Sequence, residues 1–237
     1  MASVRLRKDN VKAYVKQHVP RLVSCLRYLL RQRWRVGSVQ KKFHRIYRRN
    51  AWASSESVSG PGSELAQTQV IRNALPAILD ELGARSLLDV PCGDFHWMRY
   101  VNLGRVTYLG GDVVPELVIR NSVKFGSSER RFFVIDICAE ALPEADVLLC
   151  RDCLVHLSFR DIKRALVNVR RSKVKFLLTT TFTSVRSNRD IFTGEWRPIN
   201  LREPPFLFPE PLVLLNEQCP QPGHNDKSIG LWQVSLL

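Results

Sequence analysis

Three carboxylates, each at the end of an apolar run, mark where this chain concentrates its chemistry. Leu87-Leu88-Asp89 runs straight into Val90-Pro91-Cys92-Gly93-Asp94-Phe95, a tight turn containing glycine. Thr107-Tyr108-Leu109-Gly110-Gly111 ends in Asp112, 23 positions beyond Asp89, and Phe132-Phe133-Val134-Ile135 ends in Asp136. In open parallel sheets, ligands lie outside the carboxyl ends of the strands. There an acidic residue about 20 positions past a glycine turn grips ribose hydroxyls. The spacing therefore predicts a nucleoside-binding sheet edge. A second group, Arg151-Asp152-Cys153-Leu154-Val155-His156-Leu157, follows a fourth apolar run. His156 offers an imidazole whose pKa suits general-base work, and Asp152 is placed to orient it or to bind substrate. A structural histidine at the start of a helix is the alternative. Cys150-x-x-Cys153 lacks the second pair or the histidines that zinc sites show, so no metal is expected, and Cys150 reads as a core residue.

Strands must deliver these groups. They are predicted near 86–90, 107–111, 131–135, 147–150 and 175–180, with helices between them, clearest at 159–170. A further helix over roughly 64–82 carries Leu65, Val70, Ile71, Leu75 and Leu79, with Gly83 placed as its C-cap. Strand alternating with helix means a parallel sheet covered on both faces, an α/β, doubly wound fold. After a proline-rich excursion over 188–211, the stretches 212–219 and 230–237 read as two more strands. Within that excursion Trp196, Asn200 and Arg202 suit a cover that excludes water, and Arg197 suits a grip on a carboxylate or phosphate. A surface loop stiffened by proline is the alternative. Thr179-Thr180-Thr181 ends the fifth strand, in reach of a polar acceptor.

The three acid-tipped strands and the turn between them resemble the class I S-adenosylmethionine-dependent methyltransferases, whose first motif reads acidic-x-Gly-x-Gly-x-Gly. Pro91 and Phe95 stand in place of the first and third glycines. Proline is compatible with a rigid turn, while Phe95 is expected to crowd it. The resemblance covers about residues 64–237 and implies a Rossmann-like, mostly parallel seven-stranded sheet. It also implies a C-terminal antiparallel hairpin whose last strand sits beside the fifth. S-adenosyl-L-methionine is the implied cofactor. Asp89 would orient the turn and the methionine end, and Cys92 and Gly93 would offer backbone. Asp112 would hold the ribose hydroxyls, a helix cap being its bland alternative. Asp136 with Ile137 would meet the adenine, a plain turn aspartate being the alternative. The loop from Arg151 to Leu157 would face the transferable methyl. This adds Arg151 to the cofactor-facing residues and makes His156 and Asp152 the candidate catalytic pair.

Charge divides the chain. Residues 1–50 hold 15 Lys and Arg against one acid, Asp9, while the remainder holds 21 basic and 21 acidic residues. A basic arm over 1–42 therefore precedes a neutral domain over 64–237. The arm reads as helical in two pieces separated by Pro20. Leu22, Val23, Leu26, Leu29 and Leu30 lie on one face and Arg21, Arg27 and Arg31 on the other. Such a helix packs on the domain or lies on an anionic membrane surface; no nucleic-acid-binding motif accompanies the charge. Residues 43–63 form a Ser/Gly-rich connector in which Tyr47 and Trp52 suggest a lid as much as a linker. The six cysteines show no disulfide spacing and no 18-residue apolar run exists. A cytoplasmic or membrane-peripheral protein is expected, with an organelle transit peptide as the alternative.

These observations favour a methyltransferase acting on oxygen or nitrogen of a small or medium polar acceptor, such as a sugar hydroxyl, another glycan-type acceptor or a carboxylate metabolite. A nicotinamide-dependent oxidoreductase and a non-catalytic scaffold working through the basic arm are the competing classes. A dehydrogenase would continue into a second βαβ half where this chain shows a hairpin.

Overall fold

Strands buried on both faces need nearly continuous apolar sequence, and the central strands have it. In the computed structural model, which describes residues 38–237, five strands pair in parallel: β1 (Ser86–Asp89), β2 (Thr107–Asp112), β3 (Arg130–Val134), β4 (Val147–Cys150) and β5 (Phe176–Phe182). β6 (Val213–Asn216) and β7 (Lys227–Gln233) complete the order β3-β2-β1-β4-β5-β7-β6, with β7 antiparallel to both neighbours. The doubly wound, mostly parallel seven-stranded sheet with a C-terminal antiparallel hairpin is thus observed, and the last strand lies beside the fifth as expected.

Alternation along each strand splits the core. Leu87, Val147, Leu149 and Leu178 pack with Ile71, Leu75 and Leu79 of α2 (Gln69–Glu81). Leu88, Leu148 and Leu177 face the other way, onto Ile162, Ala165 and Val169 of α4 (Phe159–Arg171). α2 stops where expected. Gly83 adopts φ +59°, and the Gly83 and Ala84 N–H groups return to the carbonyls of Asp80 and Leu79. α4 starts at Ser158, whose hydroxyl oxygen accepts the Asp161 N–H at 3.2 Å. α3 (Pro115–Phe125) opens on a first-turn proline.

Some boundaries differ from the sequence expectation. α2 begins at Gln69 rather than 64, because Pro61–Ser63 forms a separate 3-10 turn and Glu64 accepts the Ser54 hydroxyl at 2.8 Å. β7 begins at Lys227 rather than 230, because a buried lysine heads it. α1 (Val39–Arg48) runs through the expected arm boundary at 42, with Val39 and Lys42 buried. The helical pieces expected around Pro20 lie outside the described residues. Among the described residues no helix is long and apolar enough to cross a membrane.

Candidate functional site

β1, β2 and β3 bring their acids to one side of a cavity of about 340 Å³ at the carboxyl edge of the sheet. Asp89 is buried there and accepts the Tyr108 phenol O–H at 2.6 Å. Burial pushes its pKa up to about 7 despite that hydrogen bond. Asp112 is buried as well, and burial raises it to about 6. Its Oδ1 accepts the Val114 N–H at 2.9 Å and its Oδ2 the Gly93 N–H at 3.0 Å. Asp112 therefore ties the glycine turn to the start of α3. A carboxylate offers about four acceptor positions, so this backbone role and a ribose contact do not exclude each other. Asp136 and Ile137 line the same cavity, and Asp136 Oδ1 accepts the Cys138 N–H at 2.8 Å, a turn contact. Burial raises the Asp136 pKa.

The turn after β1 is shaped by its neighbours. Gly93 sits at φ +55°, and a Cβ there would stand 2.2 Å from Ser59 Oγ, so backbone and space both favour glycine under the connector. The Cys92 N–H donates to Gly111 O at 2.8 Å, and burial pushes the Cys92 thiol up, which keeps it protonated. Phe95 does not crowd the cavity. At φ +58° it turns into the core and meets Tyr108, Phe125 and Phe132 at centroid distances of 5.1, 5.2 and 5.2 Å.

α1 and the connector after it form the outer wall, with Phe43, Tyr47, Trp52 and Gly62 among the lining residues. Serines fasten this cover. Asp94 accepts the Ser57 hydroxyl at 2.9 Å, the Val58 N–H at 3.1 Å and the Ser59 hydroxyl at 3.1 Å. Two histidine–carboxylate contacts, His44–Glu116 at 2.6 Å and His96–Glu56 at 2.7 Å, attach it further.

The loop after β4 supplies the opposite wall. The buried Arg151, Glu217 and Lys227 form an ionic cluster with the half-buried Asp152. Arg151 Nε donates to Glu217 at 2.7 Å, and Lys227 Nζ lies 2.7 Å from Asp152 and 3.3 Å from Glu217. Two cations balance two anions. Burial alone would raise Asp152, but the Lys227 ammonium and the Arg151 guanidinium outweigh it and hold the carboxyl well below the usual range. His156 Nδ1 lies 3.0 Å from the Glu195 carbonyl. A carbonyl only accepts, so Nδ1 carries the proton and Nε2 keeps its lone pair. Burial lowers the imidazole pKa, which leaves it neutral at physiological pH. Trp52 packs 5.1 Å from the ring.

Three expectations are corrected by this geometry. Asp152 does not orient His156. Its oxygens go to Lys227, Arg151 and Thr180, and the imidazole is held by a backbone carbonyl instead. Thr180 holds Asp152, accepting its N–H at 2.8 Å, and so is already engaged within the wall. Arg197 is not a ligand grip. It is fully buried and donates to the carbonyls of Leu154 at 2.7 Å, Leu157 at 2.8 Å and Arg189 at 3.3 Å, pinning the 188–211 excursion to the turn that carries His156. Cys150 packs in the core, and Cys153 is buried at the cavity wall. Sequence reasoning missed Lys227 and Glu217 altogether; the available signal was a lone lysine heading an apolar run.

The described residues have the Rossmann-like fold of class I methyltransferases. The N-methyltransferase NodS from Bradyrhizobium japonicum superposes with a TM-score of 0.54 at 14% identity, covering 73% of this chain and 98% of that one. Human N-acetylserotonin methyltransferase in complex with SAM gives 0.53 at 14% identity over 71% of this chain, which matches only 53% of the length of that enzyme. The N-terminal domain of EvdMO1, crystallised with SAH and D-fucose, gives 0.50 at 14% identity over 70% of this chain and 83% of that domain. No family model matches the chain, and no curated protein matches it.

Proposed function

We propose that this protein transfers the methyl group of S-adenosylmethionine to an oxygen or nitrogen of a small or medium polar acceptor. One observation carries the reading. The acids of β1, β2 and β3, the glycine turn and an imidazole with a lone pair on Nε2 all line a single cavity. When bound, the cofactor supplies an electrophilic methyl on a sulfonium centre. The residues present suit it. Asp112 meets the ribose, Asp136 and Ile137 the adenine, Asp89 and the Cys92–Gly93 backbone the methionine end, and Arg151 faces the same space. His156 Nε2 takes the proton that the acceptor loses, and the cover over 43–63 limits water.

A sugar hydroxyl or a carboxylate-bearing metabolite is the favoured acceptor. In support, Trp196 lines the cavity while 40% exposed, with the His224 ring 4.9 Å away and Gln221 alongside. An apolar wall with a few polar groups orients a small polar ligand. The test is release of S-adenosylhomocysteine from S-adenosylmethionine in the presence of pooled acceptors. No release from any pool, together with no thermal shift from S-adenosylhomocysteine, would sink the proposal.

The basic arm extends the proposal to an anionic membrane surface, supported by the segregation of its charge. Deletion of residues 1–37 spares Val39 and Lys42, so the domain should still melt cooperatively while losing cosedimentation with phosphatidylserine vesicles. Equal cosedimentation before and after deletion rejects the membrane role.

A further inference from the structure

Trp196 is held firmly by its neighbours and yet left uncovered at the cavity, where it is 40% exposed. Both residues beside it in sequence are bonded to the turn that carries His156. The Glu195 carbonyl accepts from His156 Nδ1 at 3.0 Å, and the Arg197 N–H donates to the Val155 carbonyl at 3.1 Å. One position further back, the Gly194 N–H donates to the His156 carbonyl at 2.8 Å. The indole stands edge-on to the buried Phe182 ring at 6.0 Å, and the His224 ring does the same at 5.7 Å. Indole and imidazole meet at 4.9 Å with a tilt of 49°. β5 thus supplies an aromatic floor, and the 188–211 excursion and the β6–β7 loop each supply one wall. An apolar face fixed relative to His156 suits a ligand that must present one particular atom to that imidazole.

We propose that Trp196 seats an uncharged sugar ring of the acceptor and so determines which hydroxyl reaches His156 Nε2. This rests on the methyl-transfer reading above and narrows its acceptor. A pyranose is apolar on its C–H face and polar around its rim. The indole offers the matching face, and His224, Gln221 and the half-buried Asp152 offer polar groups in the same lining. Charge selects the neutral ring over a carboxylate-bearing one. Among the described residues, the Arg and Lys side chains that line the cavity are Arg151 and Lys227, and both are engaged with Glu217 and Asp152. The remaining carboxyl groups of the lining are Asp89, Asp94, Asp112 and Asp136. A carboxylate on the acceptor would enter among acids with no uncommitted Arg or Lys to meet it, which is costly; an uncharged ring avoids that cost.

The full chain loaded with S-adenosylhomocysteine provides the test. Saturation-transfer NMR at pH 8 compares methyl glucoside, galactoside and mannoside with the matching uronates and uncharged uronamides. At least one glycoside should bind through its C–H face, with its uronamide comparable and its uronate at least about tenfold weaker. The same glycoside should release S-adenosylhomocysteine from S-adenosylmethionine. Trp196→Ala should raise its KM about tenfold with unchanged S-adenosylhomocysteine affinity, and Trp196→Phe should recover part of the loss. Equal binding of uronate and uronamide to the unmodified protein overturns the uncharged ring. An unaltered KM in a folded Trp196→Ala variant overturns the role of the indole. S-adenosylhomocysteine binding with no glycoside both bound and methylated overturns the sugar assignment. Failure of S-adenosylhomocysteine itself to bind would instead strike at the methyltransferase reading.

Discussion

On the β1–β2 side of the cavity, Asp89 and Asp112 are held by neutral donors: a phenol and backbone N–H groups. On the β4–β7 side, Asp152 is held by an ammonium and a guanidinium. Asp89 and Asp112 are buried and Asp152 is half-buried, and their ionisation diverges. Burial raises Asp89 to about 7 and Asp112 to about 6, whereas Lys227 and Arg151 overcome burial and keep Asp152 ionised. The cationic partners on one side and the neutral donors on the other set the direction of the shift. One side is thus left responsive to a ligand that brings donors, and the other is a neutralised wall that positions Arg151 and lies beside His156.

The largest expected effect tests whether the β4–β7 side holds the proton acceptor. His156→Asn should lower turnover about 10²–10⁴-fold with unchanged S-adenosylhomocysteine affinity. Because burial lowers the imidazole pKa, the acidic limb of the pH–rate profile should lie below the ordinary histidine value and vanish in the variant. Joint loss of stability, binding and turnover would assign His156 a structural role. Next, Lys227→Met leaves the buried Glu217 and the half-buried Asp152 facing one cation. Urea unfolding should show a loss of about 3–5 kcal/mol, and adding Asp152→Asn should recover part of it. An unchanged midpoint would mean that the cluster is not the neutralised wall described.

The β1–β2 side gives smaller effects. Asp112→Ala should weaken S-adenosylhomocysteine binding at least tenfold, a contact of about 1.5–3 kcal/mol, and also cost about 1 kcal/mol of stability because two backbone N–H groups lose their acceptor. Loss of stability with full affinity would leave only the backbone role. The smallest effect is in pH. Ribose hydroxyls donate to the ionised carboxylate, so affinity should decline as pH falls through about 6, where Asp112 takes up its proton. Calorimetry between pH 5 and pH 8 should show this decline, and Asp112→Asn should flatten it.

The two sides also differ in how far the sequence discloses them. Asp89, Asp112 and Asp136 each end a short apolar run, so type and place are written locally, and the sheet follows from the same runs. The ionic cluster is not local. Arg151 meets Glu217 across 66 positions and Gly62 across 89, and Asp152 meets Lys227 across 75. His156 is visible as a candidate, but its partner is a main-chain carbonyl, which no residue type announces. Arg197 misleads for the same reason. Its guanidinium is spent on carbonyl groups that every residue carries.

The placement of β7 has a consequence for synthesis. This strand is made after β6 yet lies inside the sheet, between β5 and β6. A nascent chain that has emerged only as far as residue 226 leaves β5 as an open hydrogen-bonding edge and gives β6 no partner. Its Asp152 and Glu217 still lack their ammonium. Such an intermediate is prone to edge-to-edge association until seven more residues arrive, and Lys227 joins the cavity wall in the same step that removes the hazard.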